Sequence, residues 1–400
     1  MKLDWLKPLL GRTGPFTTVY VDATRNDPSG ETEVLDRWKG LRRDLERQGA
    51  PQPVLDEIED VITRPTRVAG AHGRVLIADA EGVRIDRVLA DPPDRNSATH
   101  GPVPALLAAA RAADEAVSFL LVEVNRQGAD LHWSDGTGRL ETGDHEVVEG
   151  DHDELRKVKT GGGWHHDHSQ NRAEDSWERN AEVVAADIDK QVVRRSPELI
   201  ILTGDVREVP LLHEKLGHHA KELVVEVPGG SRSEGAKQDT FRERVDATLE
   251  AFRARRRESV LDLFRQEQGR GGAATTQLDD VIEVLGRGQV SELVLLESVT
   301  TNASPLADRT VWVGPDPLQI AGSRDGLEAM GVTDGARELR ADIGLVRAAL
   351  GQDAGLTFAV DGSVDLVDGV GAILRWTDAS TPSEAVLSQS GDTGRVRDVV

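Results

Sequence analysis

PELIILTGDVREVPLLHEKLGHHAKELVVEV, residues 197–227, decides the fold class. Pro197 cannot continue a preceding helix, and Glu198 to Gly204 is an apolar run of strand length, which predicts a strand buried on both faces. Val209 to Leu216 has helical spacing and Glu222 to Val227 is again a short apolar run, so the segment reads strand, helix, strand. Such alternation requires helices stacked on the faces of a sheet, and the middle of the chain is therefore expected to be a layered α/β domain.

Toward the N-terminus, Arg172 to Arg195 predicts one long helix whose apolar stripe is Trp177, Val184, Ile188 and Val192. Before it stand Lys157, Lys159 and the run Gly161-Gly162-Gly163-Trp164-His165-His166-Asp167-His168. Three consecutive glycines are costly in any regular element, so this run predicts a mobile loop. Gly143 to Asp153 is polar and acidic, as in a linker.

Toward the C-terminus, Asp239 to Gln268 predicts a long helix with Val245, Leu249, Phe252, Val260 and Phe264 on one side. Arg253, Arg255, Arg256 and Arg257 cluster beside that stripe. They are expected either to form a solvated helix face or to touch RNA. Gly269-Arg270-Gly271-Gly272 reads as a hinge, because it lacks the Lys-Ser or Lys-Thr that holds nucleotide phosphates. Beyond it, helices over 278–285 and 339–350 and strands over 293–297, 310–313, 356–360 and 372–376 predict an α/β/α sandwich.

The opening block mixes two amphipathic helices, over 34–45 and 54–61, with strand-like runs over 74–79, 83–89, 117–124 and 129–133. An α+β domain with a meandering sheet follows. The expected organisation is thus a mixed α/β and α+β chain: an N-terminal α+β domain over 1–140, a central layered α/β domain over 141–271, a C-terminal α/β/α sandwich over 272–378, and a loose tail over 379–400.

The 400 residues include no cysteine, which excludes disulfides and all-cysteine zinc sites. Apolar runs are short and Asp4 interrupts the opening one, so neither a membrane span nor a secretory leader is expected, and the cytoplasm follows by default. A formal charge of −22 argues against general affinity for nucleic acid, DNA included. The charge is uneven: Lys+Arg against Asp+Glu is 18 to 26 over 1–150, 11 to 16 over 151–228, 10 to 8 over 229–272 and 9 to 20 over the remainder. Only the third stretch is net positive, so a local RNA-facing surface stays open.

Five of the eleven histidines are His145, His152, His165, His166 and His168. Imidazoles suit zinc, nickel or copper, but adjacent residues on a glycine loop rarely converge on one centre and no HExxH helix is present. Neither a metal nor another cofactor is expected. An exposed polar loop without chemistry is the plain alternative. A third reading lets the glycine backbone approach phosphates while Trp164 and the histidines stack on bases beside Lys157 and Lys159.

TTQLDDVIEVLGRGQVSELVLL, residues 275–296, resembles the opening of the C-terminal domain of archaeal and eukaryotic class-one release factors and Pelota. DGVGAILRW, residues 368–376, is similar to that domain's last strand, and residues 197–216 resemble a strand and helix of the family's central domain. By that resemblance, Lys157 to Arg172 takes the position of the Gly-Gly-Gln loop. In release factors, the glutamine there helps water attack the peptidyl-tRNA ester. Here Trp164 follows Gly163, the nearest glutamine is Gln170, and no Asn-Ile-Lys-Ser motif for stop-codon decoding is present.

The sequence is closer to a divergent bacterial branch that includes ribosome hibernation factors. That resemblance implies a monomer occupying the A site of the 70S ribosome, elongation factor Tu as a second partner, and no catalytic residue. The rRNA contact would be Lys157, Lys159, Gly161, Gly162, Gly163, Trp164, His165, His166, His168 and Gln170. A rescue hydrolase using His165, His166 or Gln170, and a metal-dependent stress protein, are the competing readings.

Overall fold

A computed structural model describes residues 3–382, apart from 13, 26–29, 67, 69, 137–144, 150–164, 231–237, 301–305 and 307. The first module comprises β1 (Phe16–Asp22), α1 (Gly30–Arg47), α2 (Gln52–Ile62), β2 (Gly73–Asp79), β3 (Gly82–Leu89), β4 (Ser97–Gly101) and α3 (Leu107–Glu115). Its sheet is antiparallel in the order β3-β2-β1-β4. Strand alternation sends Val19, Val21, Leu76 and Ala78 toward α1 and α2, where Trp38, Leu45, Leu55 and Ile58 close the layer. Trp38 is fully buried, and its indole N–H donates to Glu59 at 2.9 Å.

The second module comprises β5 (Phe119–Asn125), β6 (Gly128–Ser134), β7 (His145–Glu149), α4 (His165–Arg195), β8 (Leu199–Gly204), α5 (Glu208–Lys215), α6 (His218–Leu223), β9 (Val224–Glu226) and α7 (Gln238–Gly269). Its strand order is β7-β6-β5-β8-β9, with β5, β8 and β9 parallel. The runs over 117–124 and 129–133, expected in the first module's sheet, are β5 and β6 of this one. The cause is legible in the residues. Leu120 and Val122 pack under α4 while Phe119 and Leu121 pack under α7, so β5 is buried on both faces and belongs in the middle of a covered sheet. The seam accordingly lies near residue 117, not 140. The expected strand over 222–227 shrinks to three residues because α6 takes its start.

The third module comprises β10 (Ala274–Thr275), α8 (Leu278–Gly286), β11 (Val290–Leu296), β12 (Thr310–Val313), β13 (Ile320–Ala321), α9 (Arg324–Ala329), β14 (Arg337–Arg340), α10 (Ala341–Gly351), β15 (Gly355–Ala359) and β16 (Val370–Leu374). One sheet runs β10-β16-β11-β15 and a smaller one runs β13-β12-β14. Helices α8 and α10 cover one face of the larger sheet, and the C-terminal half of α7 covers the other through Leu261 and Phe264. The expected sandwich is present, with one layer borrowed from the preceding module. Residues 339–340, expected to be helical, close β14 instead.

Two features tie the modules together. At about 1.5 Å per residue, the 32-residue α7 is about 48 Å long. It lays Phe241 and Val245 on β5 and β8, then Leu261 and Phe264 on β11 and β16. In addition, the first and third modules share one apolar core: Leu6, Phe16, Tyr20 and Ala110 pack in one cluster with Leu345, Ala349 and Leu350.

Trp38→Ala is expected to destabilise the first module by about 3–5 kcal/mol, because the vacated volume lies among fully buried neighbours. Denaturant unfolding followed by amide protection in α1 and α2 checks this. Gly204 has φ +139°, and a Cβ there would stand 2.0 Å from the Val124 carbonyl oxygen. Gly204→Ala should therefore cost about 2 kcal/mol or more and selectively unprotect the C-terminal ends of β5 and β8.

Candidate functional site

The candidate rRNA-facing segment joins β7, an edge strand, to α4. Lys157, Lys159, Gly161, Gly162, Gly163 and Trp164 lie outside the described residues, as does His152. His165, His166, His168 and Gln170 fall in the first turns of α4, so the loop expected over 157–170 gives way to helix at 165. No glycine or proline occurs between His165 and Arg195, and nothing local breaks the helix before Pro197.

At the described end of α4, Trp177 is buried, and the Arg126 guanidinium lies 4.4 Å from the centre of its ring. The Asn180 side-chain amide donates to the Arg126 carbonyl at 3.0 Å. Arg126 comes from the β5–β6 turn, and its Nε faces Asp205 and Glu208 at 3.9 Å each. These two residues follow the carboxyl end of β8. The base of the segment is thereby fixed at the carboxyl ends of the parallel strands β5 and β8, where open α/β sheets place their sites. Burial holds the Glu208 carboxyl above its usual range, and the neighbouring Asp205 charge adds to the effect.

Further along, α4 buries Val184, Ile188 and Val192 over β5, β6 and β8, the stripe expected from spacing. Gln191 donates to Glu146 at 2.8 Å, holding α4 to β7. His145 stacks on His132 with ring centres 4.6 Å apart, and His132 stands 3.4 Å from Glu123. Among the described residues, no group of three or more His, Asp or Glu side chains could hold a metal ion. Among them, too, no helix is long and apolar enough to cross a membrane.

The arginine cluster of α7 does not form a continuous solvent face. Arg253 pairs with Glu250 on its own helix, and Arg257 reaches Glu297 at 3.3 Å. Arg256 donates to Glu198 at 2.7 Å and also to the backbone carbonyls of Asp114 and Ala116 at the end of α3. Arg255 alone of the four is exposed. The cluster sits where α7 passes from one sheet to the next, and that position turns Arg256 and Arg257 toward neighbouring modules.

Sequence reasoning missed two acids at this junction. Asp114 accepts from the Phe358 amide at 3.1 Å, linking α3 to β15. Glu292 on β11 accepts from the Thr357 hydroxyl at 2.6 Å. Burial pushes the Asp114 carboxyl up to about 6 and that of Glu292 up to about 7. An acid inside the otherwise apolar run VSELVLL was the available signal for Glu292; Asp114 has none. Beside the junction, a cleft of about 560 Å³ separates the first two modules, with Trp5, Arg87, Asp135 and Glu198 on its walls.

An uncharacterized protein of Mycobacterium tuberculosis, found in two strains, is 26% identical over 377 residues, covering 94% of this chain and 97% of the relative. Among solved structures, an archaeal translation termination factor aligns over 94% of this chain and 96% of its own at 14% identity and a TM-score of 0.22. Pelota from Archaeoglobus fulgidus covers 78% of this chain and 86% of its own, at 11% identity and a TM-score of 0.33. Residues 118–270 match the family described as bacterial archaeo-eukaryotic release factor family 2. The matched segment begins where the second module's sheet begins, at β5, and ends as α7 ends. That match makes the second module similar to a divergent bacterial release-factor-like family.

Proposed function

We propose that the chain is a ribosome-associated translation factor that fills the A site and silences translation in dormant or stressed cells, without hydrolysing peptidyl-tRNA. The observation that carries this reading is the family match over residues 118–270, coupled with Gly161-Gly162-Gly163-Trp164 where release factors place a glutamine after two glycines. A release-factor-like module without that glutamine keeps the reach of the family and loses the group that orients water.

In this reading the partner is the 70S ribosome, in the cytoplasm. Lys157, Lys159, the three glycines, Trp164 and the start of α4 meet rRNA, with backbone amides near phosphates and the aromatic groups stacked on bases. Inhibition is steric, so no metal or other cofactor takes part. The acidic third module, 9 basic against 20 acidic residues over 273–400, faces protein, with elongation factor Tu as the second partner. Of the arginine cluster, Arg255 alone is free to touch RNA.

Sedimentation of stationary-phase lysate is the direct test. The full chain should co-migrate with 70S particles, and deleting residues 158–164 should reduce the bound fraction about tenfold, equivalent to about 1.4 kcal/mol of binding free energy. The same particles charged with labelled peptidyl-tRNA should release no peptide. Release that disappears in His165→Ala, His166→Ala or Gln170→Ala would replace the plug with a rescue hydrolase. Failure to co-migrate would remove the ribosome from the account.

A further inference from the structure

The end of α3, the start of β8, the middle of α7 and strands β11 and β15 meet at one point, and the charged groups there are unusually many for a junction between cores. Asp114 brings a carboxylate from α3 and Glu292 brings another from β11. Both are partly buried, and each is satisfied by a donor on β15: the Phe358 amide at 3.1 Å for Asp114, the Thr357 hydroxyl at 2.6 Å for Glu292. Gly355 makes room for this arrangement, since a Cβ at that position would stand 1.8 Å from a Glu292 carboxylate oxygen. Evolving any other residue at 355 would force the acid out of the seam.

The surrounding charges come from every packed element. Helix α3 adds Arg111 and Glu115, which pair at 3.0 Å. Glu198 stands just before β8 and accepts from the Ser118 amide at 3.0 Å as well as from Arg256. Helix α7 supplies Arg253, Arg256 and Arg257, and Glu297 follows β11. Five carboxylates thus face four guanidinium groups in a confined space, and two of the guanidiniums, those of Arg111 and Arg253, spend their hydrogen bonds on acids of their own helices. Arg257 offsets Asp114 and Arg256 offsets Glu292, and Arg256 is itself desolvated, its pKa pushed down to about 10.

We propose that this junction is a proton-operated joint: taking up protons at Asp114 and Glu292 tightens the seam that fastens α3 and the third module's sheet to α7, and losing them loosens it. No contact with the ribosome is required, so the inference stands apart from the function proposed above. Its sign follows from linkage. Both acids are raised in the folded chain above their unfolded values of about 3.9 and 4.3, so between those values and about 6–7 the folded state holds more protons than the unfolded one. Stability carried by the protonated pair is therefore fully present below about pH 4 and is lost as the pH rises through about 6–7.

Hydrogen exchange of the full chain reads the joint at the β15 amides other than that of Phe358, whose own bond to Asp114 is stronger when the carboxyl is charged. After division by the intrinsic exchange rate, protection there should fall about tenfold between pH 5.5 and pH 8.5, while amides in the core of the first module, such as those of β2, hold steady. In Glu292→Gln and in Asp114→Asn, which keep the acceptor oxygens, the fall should shrink, and in the double variant it should vanish with protection set at the acid level. Protection of those β15 amides independent of pH in the unaltered chain would overturn the proposal. So would a pH dependence that survives in the double variant, because the protons would then be held elsewhere.

Discussion

One long helix carries two sheets, and the molecule's connectivity depends on it. An α-helix exposes apolar residues at three- and four-residue spacing, so a stripe that covers one sheet can be continued to cover a second only if the helix outruns the first. In α7, Phe241 and Val245 finish the central core, and Leu261 and Phe264 begin the next. Between them the helix passes from one sheet to the other. Arg256 stands at that crossing and spans from the helix to Glu198 and to the last carbonyls of α3. A charged side chain serves here because its partners are backbone carbonyls with no helical donor left and a carboxylate already drawn partly out of water.

The segment proposed to meet rRNA is held by a different kind of contact. Trp177, Arg126, Asn180, Asp205 and Glu208 bring together a helix, a hairpin turn and the loop after a parallel strand. Stacking of the guanidinium on the indole fixes the direction in which α4 leaves the sheet, while the two carboxylates stand 3.9 Å from the guanidinium's Nε and supply opposite charge. The polar grouping is small, yet it determines where the residues ahead of Trp177 start.

Much of the architecture was legible in the residues. Long periodic elements, α1, α2, α7 and α8, fall where spacing put them, because their apolar stripes leave no competing period. The strands at 74–79, 83–89 and 310–313 were equally plain. The run over 117–124 reads as a strand, but sequence order alone puts it in the first module's sheet rather than the second's, since a run apolar on both faces states that it is buried without stating under which helices. The start of α4 is hidden in the sequence, because the three glycines just ahead of it favour a loop and the apolar stripe begins only at Trp177. The arginines of α7 looked like a patch in one dimension and proved to be spokes in three. Asp114 was invisible, as its meaning depends on a strand almost 250 residues away.

The core shared by the first and third modules has a bearing on synthesis. Leu6, Phe16 and Tyr20 pack in one cluster with Leu345 and Leu350, more than 320 residues later in the chain. A nascent polypeptide leaving the exit tunnel can form the helix-covered face of its opening sheet early, but the opposite face must wait, still wetted, until nearly the whole message has been read. Maturation of the two ends is in that sense a single late event, and the middle module, whose sheet and helices are contiguous, is the part able to fold first.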